Sequence, residues 1–200
     1  MMRQAHEGFG NMTSLIAPDW SREQAAGSHP GRRLMMAFRA YERAAQKSGP
    51  LGTLQRKVCE LRYRFWTIVS GADIPLGTEI GGGFSIPHPN GIVINKNAKI
   101  GVNVVMMQGV TVGTNIGQDV PEIGPGTDIG PGARLLGGIK VGKRAMIGAN
   151  AVVTKDVPDY ALAVGVPAQI HTAWDDPRRM WEGQTHRATR ARPTEELKDA

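Results

Sequence analysis

An aliphatic residue recurs almost every six positions between Ile74 and Val157, and no other feature of the sequence constrains the fold as strongly. Glycine commonly follows the aliphatic residue, and a small or β-branched residue commonly comes four positions after it. Neither a helix nor an alternating strand has this period. It is typical of a β-solenoid, in which each hexapeptide forms one short strand and one turn. The aliphatic positions are Ile74, Ile80, Ile86, Ile94, Ile100, Met106, Val112, Ile123, Ile129, Leu135, Val141, Ile147 and Val153.

Three hexapeptides close one triangular coil, and stacked coils bury a continuous apolar column. The thirteen hexapeptides therefore predict about four coils, each rising by roughly 4.8 Å. The period slips by two residues between Ile86 and Ile94, and a polar insertion interrupts it at 114–122. We expect the insertion to leave the coil as a loop on one face. The sequence thus predicts a mainly β protein with a parallel β-solenoid over residues 71–170.

The segment before the solenoid predicts two helices after a loose arm at residues 1–28. Apolar residues recur at helical spacing from Leu34 to Ala45, and Gly49-Pro50 ends that pattern. A second pattern, ending at Gly71, predicts an amphipathic helix. Its apolar stripe alternates by three and four residues: Leu51, Leu54, Val58, Leu61, Phe65 and Ile68. We divide the chain into a helical region (1–70), the solenoid (71–170) and an exposed tail (171–200) with a short helix near 193–198.

The net charge of +6 is concentrated at the N-terminal end, where residues 1–70 hold eleven Lys/Arg against five Asp/Glu. This basic region either attracts an anionic partner, such as a nucleotide-sugar, a lipid pyrophosphate or a membrane surface, or is a solvated helix face. No pattern typical of nucleic-acid binding accompanies it. The lone Cys59 excludes an internal disulfide, and no apolar run is long enough to span a bilayer. We therefore expect a cytoplasmic protein with Cys59 as a packing residue.

Three motifs carry a family resemblance: Asp73-Ile74, His88-x-x-Gly91-Ile92-Val93 and Gln108-x-Val110-Thr111-Val112-Gly113. With the closing segments 151–158 and 163–168, they resemble the hexapeptide-repeat acyltransferases, and within them the serine acetyltransferases. The run 91–97 is more similar still to a subgroup that O-acetylates exopolysaccharides such as colanic acid. The resemblance implies a left-handed parallel β-helix, a homotrimer with active sites between subunits, and acetyl-CoA as donor without a metal. The two helices would then cap the first coil or pack at the trimer axis.

Acyl transfer to a hydroxyl needs a base for the proton and a means of stabilising the oxyanion. His88 is the one histidine of the solenoid, and the resemblance makes it the general base. Asp73 precedes it by the fifteen residues that separate the family's Asp–His pair, and would orient the imidazole. The alternative for Asp73 is a cap at the junction of helix and solenoid. A zinc carbonic anhydrase of this fold is excluded, because it needs three histidine ligands.

Six residues match positions of the donor site in related acetyltransferases: Gly113, Thr114, Pro131, Ala149, Thr154 and Lys155. The resemblance implies that Lys155 pairs with a coenzyme phosphate and that small side chains line the pantetheine arm. Backbone N–H groups at Gly113 and Thr114 would face the oxyanion. Ala149 equally fits a plain turn residue.

The sequence departs from the serine acetyltransferases at the acceptor site. Pro87 stands where they have an acidic residue, and Asp119-Val120 stands before Pro121 where they have an Arg-His pair. A serine carboxylate needs a cationic partner. We therefore expect a sugar hydroxyl as acceptor, in exopolysaccharide or capsule biosynthesis, with a small or lipid-linked sugar and peripheral membrane contact through the basic region. The alternatives are a serine O-acetyltransferase of cysteine biosynthesis and a non-catalytic trimeric scaffold.

Overall fold

The computed structural model describes residues 17–24, 29–117 and 119–172. Its helices are α1 (Ser21–Gln24), α2 (Pro30–Ala45) and α3 (Gly49–Ser70). The strands that follow are β1 (Glu79–Ile80), β2 (Val93–Ile94), β3 (Lys99–Ile100), β4 (Val105–Met106), β5 (Thr111–Gly113), β6 (Glu122–Ile123), β7 (Asp128–Ile129), β8 (Arg134–Leu136), β9 (Lys140–Val141), β10 (Met146–Ile147), β11 (Val152–Val153), β12 (Leu162–Val164) and β13 (Gln169–His171). This part of the chain is thus a helical segment followed by a β region, which we name the repeat region (71–170).

The strands form three sheets. Sheet A has the order β2-β5-β8-β11, sheet B the order β1-β3-β6-β9, and sheet C the order β4-β7-β10-β12-β13. Pairing is parallel except between β12 and β13. From β2 to β11 the chain visits sheets A, B and C in rotation, so that each strand pairs with the strand three places later. The predicted mainly β class with N-terminal helices is confirmed.

The core is built from the aliphatic positions of the six-residue period. In most strands the first residue is exposed or half-buried, and the second is buried. All thirteen predicted inward residues, from Ile74 to Val153, are at most 7% exposed. Since full burial of an aliphatic side chain contributes about 1.5–3 kcal/mol, this column is the main stabilising element of the repeat region. The predicted inward positions are confirmed.

The turns that lead from sheet C to sheet A stack in one column, the C-to-A column. Each level holds one residue with a left-handed backbone, which glycine adopts without strain. These residues are Gly91, Gly109, Gly132 and Asn150, and Gly71 at the end of α3 lies below them with the same backbone; their φ angles are between 56° and 71°. The strand register shows that the first coil is longer than the second, because Asp73 pairs with Val93 after 20 residues and Val93 pairs with Thr111 after 18. The two-residue slip of the period therefore lies in the first turn of this column.

Helix α2 covers the first coil with its apolar face. Leu34, Met35 and Phe38 are at most 1% exposed and belong to the same core cluster as Ile74 and Ile80. The Arg39 guanidinium ties the helix to the repeat region by donating hydrogen bonds to the carbonyls of Ile80 (2.8 Å) and Gly81 (2.6 Å). The expectation of a capping helix is confirmed for α2.

Helix α3 presents its apolar stripe to the outside. The six stripe residues are between 57% and 83% exposed, whereas Tyr63 on the opposite side is buried. The Tyr63 hydroxyl donates a hydrogen bond to the Ile74 carbonyl, and this contact fixes which side of α3 faces the repeat region. Of the two expected arrangements, capping of the first coil does not hold for the stripe of α3. Packing of the stripe at a trimer axis stays a prediction.

Two irregular segments complete the described structure. Of the expected loose arm, residues 17–24 pack on the repeat region: Glu23 is buried and its Oε1 accepts a hydrogen bond from the Phe84 N–H (3.1 Å). The described part of the insertion, residues 114–117 and 119–121, lies in the predicted loop between β5 and β6, where Ile116 is fully exposed. The remainder of the arm and the tail beyond residue 172, with its predicted helix, lie outside the described residues. None of the described helices is long and apolar enough to cross a membrane.

Candidate active site

His88 lies in the lengthened first turn of the C-to-A column. Two prolines flank it, and each ring fixes the backbone φ angle of its residue, so the turn is stiff on both sides of the histidine. Pro89 is buried, whereas the His88 side chain is exposed. The turn is joined to the second coil through Ser85, which pairs with Val105. The predicted base is therefore accessible and held on a rigid support.

A pocket of about 240 Å³ lies beside His88, between its turn and the start of α2. Its apolar wall includes Met35 and Phe84, and its polar lining includes His29 and Arg32. The rings of His29 and His88 are 6.3 Å apart between centroids and lie at 70° to each other. The pocket is therefore small, with basic groups close to the predicted base.

Glu23 also lines this pocket, but its carboxylate is already used. It is 2% exposed and forms an ion pair with Arg39 at 3.1 Å. Burial alone would lower the pKa of Arg39, but the hydrogen bonds and charges of Glu23 and Glu42 outweigh it and leave that pKa raised. The pair is therefore a fixed structural contact between α1 and α2 and not an acid or base for catalysis.

Asp73 begins the first level of sheet A, next to the turn that carries His88. Its N–H donates a hydrogen bond to the Ile92 carbonyl (2.7 Å), and the Gly91 N–H donates to the Gly71 carbonyl (2.8 Å). No hydrogen bond joins the Asp73 carboxylate to the His88 imidazole in the described chain, so the pair stays a prediction. The alternative role as a helix cap belongs to Gly71, whose N–H donates to the Thr67 carbonyl at the end of α3.

The predicted donor-site residues fall into two groups on opposite edges of sheet A. Pro131 and Ala149 follow strands of sheet C and lie in the C-to-A column with His88; the Pro131 carbonyl accepts a hydrogen bond from the Asn150 N–H (2.8 Å). The other four end or follow strands of sheet A, in turns that lead to sheet B: Gly113, Thr114, Thr154 and Lys155. A single chain thus brings Pro131 and Ala149 into the column of His88 but not the other four.

The insertion loop folds over the turns from sheet A to sheet B. A Cβ added to Gly138 would lie 2.7 Å from the Asp119 Cβ, so Asp119 packs directly on that turn. The His88 pocket lies at the C-to-A column, on the other edge of sheet A. Within one chain the Asp119 side chain and His88 therefore lie on opposite edges of sheet A.

His29 and Arg32 were missed in the sequence. They precede the repeat region, belong to no motif, and showed only as part of a basic N-terminal region. Their proximity to His88 depends on the close approach of α2, where a Cβ on Gly31 would lie 2.2 Å from the Ile86 carbonyl oxygen. A tertiary contact of this kind leaves no periodic signal. Within the described ranges, no group of three His, Cys, Asp or Glu residues could hold a metal ion.

Comparison with known proteins agrees with the repeat architecture. The family described as bacterial transferase hexapeptide (six repeats) matches residues 121–155. The match covers one segment inside the repeat region. A serine acetyltransferase of Mycobacterium tuberculosis is 44% identical to this chain over 118 residues, which are 58% of this chain and 52% of that protein. The chain thus spans about half the length of this curated relative.

Solved structures give the same relationship. A soybean serine acetyltransferase complexed with serine aligns with a TM-score of 0.61 at 34% identity, covering 72% of this chain and 58% of that chain. A serine acetyltransferase in complex with CoA aligns with a TM-score of 0.61 at 32% identity, covering 76% of this chain and 60% of that chain. These similarities imply that the three sheets of the repeat region are the sides of a left-handed β-helix.

The comparisons correct the expected acceptor. Relatives that are 39–44% identical to this chain are serine acetyltransferases, which point to serine and not to an exopolysaccharide as the acceptor. The prediction of a sugar hydroxyl is therefore wrong. It depended on Asp119-Val120 and Pro87 as departures from a carboxylate-binding site, and within one chain Asp119 lies on a different turn column from His88.

Proposed function

We propose that the protein is an acetyl-CoA-dependent serine O-acetyltransferase that supplies cysteine biosynthesis. The observation that carries the proposal is the exposed His88 beside a pocket of about 240 Å³ with basic side chains, on a hexapeptide domain similar to that of serine acetyltransferases. The pocket suits a small, charged amino acid. In this proposal the repeat region is a left-handed β-helix, and the reaction takes place in the cytoplasm, where a lone thiol such as Cys59 stays reduced.

His88 acts as general base in this reaction. Its imidazole takes the proton of the serine hydroxyl while the oxygen attacks the thioester carbonyl of acetyl-CoA. The new C–O bond forms, the C–S bond breaks, and the departing coenzyme thiolate receives the proton from His88. The products are O-acetylserine and CoA. Asp73 acts as a positioning residue for the imidazole, in the way that a carboxylate does in a Ser-His-Asp triad.

The donor binds between two copies of the chain. Pro131 and Ala149 lie on one edge of sheet A, while Thr154 and Lys155 lie on the other. One chain therefore cannot bring both groups to one ligand, but a second copy can place its own edge against the first. A homotrimer would form three such clefts. Lys155, which is exposed, pairs with a coenzyme phosphate.

In this proposal the oxyanion is stabilised at the end of β5 of the second copy, whose edge faces the His88 column of the first. Backbone N–H groups at Gly113 and Thr114 donate to the developing charge, where fixed donors act more strongly than water does. Gly113 is half-buried and Thr114 is exposed at the start of the insertion loop, so this position is open to a ligand.

A thiol-release assay tests the function. Purified full-length protein is incubated with acetyl-CoA, with and without millimolar L-serine, and free CoA is measured with a thiol reagent. We expect serine-dependent release of CoA and an equal amount of O-acetylserine by mass spectrometry. Thiol release that does not rise above the hydrolysis background when serine is added would refute the proposal.

A further inference from the structure

A general base has to present one ring nitrogen to the proton that it removes. Such a side chain works when it is held within roughly 10–20° of its productive orientation. Pro87 and Pro89 stiffen the backbone on both sides of His88. The torsion that turns the plane of an imidazole has broad minima, however, and a stiff backbone does not fix it. The His88 ring therefore needs a side-chain contact that limits its rotation, in addition to the proposed help from Asp73.

His29, the residue before α2, provides such a contact. The centroid of its ring lies 6.3 Å from that of His88, and the two ring planes are at 70° to each other. Aromatic pairs prefer this edge-to-face arrangement, with centroids roughly 4.5–7 Å apart. Phe84 also lines the pocket, but it belongs to the buried core cluster. The contact between the two histidines forms within one chain, so each copy in a homotrimer would orient its own base.

His29 is itself held in place by the start of α2. Its backbone is extended, with φ −62° and ψ 123°, as a residue before a proline prefers. Its carbonyl accepts a hydrogen bond from the Arg33 N–H at 3.1 Å. Two residues further on, a Cβ on Gly31 would collide with the Ile86 carbonyl oxygen, so the helix touches the chain just before the turn of His88. The half-buried His29 ring therefore keeps a fixed relation to that turn.

We propose that His29 is a positioning residue for the base; this inference rests on the proposed function. Its ring packs against the His88 imidazole and limits the rotation of that ring, so the nitrogen that faces the acceptor hydroxyl keeps its direction. In this role His29 takes up no proton and touches no substrate. The role requires an aromatic ring at this position, and it does not require the ring nitrogens.

Three substitutions of His29 separate the ring contact from other roles. His29→Ala removes the ring, His29→Gln keeps polar atoms without a ring, and His29→Phe keeps a ring without polar atoms. In the first two we expect kcat with L-serine to fall about 2- to 10-fold, the range that an aromatic pair contributes. In His29→Phe we expect kcat to stay within about twofold of the unmodified protein. The KM values for L-serine and acetyl-CoA should change less than about twofold in all three variants, because His29 touches neither substrate.

Nuclear magnetic resonance of protein with ¹³C-labelled histidine detects the ring contact without catalysis. The ring C–H resonances of His88 are identified by their loss in His88→Ala. They should move in His29→Ala and His29→Gln, where the neighbouring ring current is lost, and stay ring-shifted in His29→Phe. Arg33→Met is the matched control, since Arg33 lies in the first turn of α2 outside the pocket lining and keeps its backbone N–H. It should change neither kcat nor these resonances.

The outcomes distinguish the inference from the function beneath it. Full activity in His29→Gln together with a loss in His29→Phe would show that polar atoms are needed, and would overturn the positioning role. His88 resonances that move without any fall in kcat would overturn it as well, since the contact would then exist without orienting the base. If the unmodified protein releases no CoA with L-serine, the proposed function itself fails, and the role of His29 falls with it.

Discussion

The repeat region and the helical segment bury apolar residues by different rules. In the repeat region every level repeats the same unit, and each inward position of one coil lies on the inward position of the coil below. In the helical segment two helices share a similar apolar spacing, yet α2 buries Leu34 and Phe38 completely while α3 leaves Leu51 and Ile68 about four-fifths exposed. In the repeat region each coil packs on the next coil of the same sequence pattern. The apolar pattern of a helix shows which side can be buried, but it does not specify the surface that buries it.

The division extends to function. The repeat region holds His88 and the proposed donor site, and residues 121–155 within it match the hexapeptide transferase family. The helical segment supplies one wall of the pocket beside His88 and holds the ion pair that ties α1 and α2 together. The proposed chemistry therefore belongs to the repeated part, and the part without repeats shapes the pocket next to it.

The largest expected effect tests whether the chemistry belongs to the repeat region. Replacing His88 with Ala removes the proposed base, so turnover with L-serine should fall by roughly 10²–10⁴ while CoA still binds. His171→Ala is the control, since His171 is exposed in β13. Steady-state thiol release and calorimetric titration with CoA measure the two quantities. A near-native rate in His88→Ala would remove His88 from the mechanism.

The second effect tests how firmly the two regions are joined. Arg39→Met leaves the buried Glu23 without its ion-pair partner, and breaking such a pair costs about 3–5 kcal/mol of unfolding free energy. Arg43→Met, on an exposed position of the same helix, should change stability little. Chemical denaturation measures both variants. A loss below about 1 kcal/mol in Arg39→Met would show that α2 is held mainly by its apolar face.

The third effect asks what covers the stripe of α3. We expect Leu61→Asp to weaken the proposed homotrimer, because each subunit would lose the burial of one leucine, about 1.5–3 kcal/mol. Light scattering over a dilution series measures the mass, and Thr53→Asp on the exposed opposite side of α3 is the control. An unchanged mass together with lost binding to anionic vesicles would show instead that the stripe and its basic neighbours contact a membrane surface.

The smallest effect concerns Asp128, a half-buried carboxyl in the repeat region. Burial raises the pKa of Asp128, and the Arg22 charge offsets only part of the rise. The pKa of Asp128 is therefore higher in the folded protein than in the unfolded chain. As the pH rises through the folded pKa, the carboxyl ionises in a half-buried place where its charge is disfavoured, and the free energy of unfolding decreases. Asp128→Asn should therefore raise the melting temperature slightly near pH 7. Its advantage should shrink as the pH falls towards 3.8, the ordinary value of an aspartate; an advantage that grew on acidification would contradict this assignment.

The sequence predicts the repeat region well because one residue type recurs at one interval. The inward residues from Ile74 to Val153, the loop at 114–122 and the turn position of His88 all follow from that interval. The sequence does not predict which side of α3 faces outwards, because Tyr63 and the stripe are both apolar enough to be buried. The sequence also does not predict where Asp119 and Arg32 lie. Asp119 is on the edge of sheet A opposite to His88, and Arg32 reaches the pocket of His88 only through the packing of α2.

The longer turn of the first coil has a wider consequence. Its two additional residues change the length of the chain without moving any inward side chain, since Val93 still pairs with Asp73 below and Thr111 above. In this architecture the length of a turn can therefore change without changing which residues form the hydrophobic core. A turn can therefore gain residues, as the turn of the proposed base His88 does, while the hydrophobic column keeps its register. Libraries that vary only the length of a turn would sample new sites at little cost to folding.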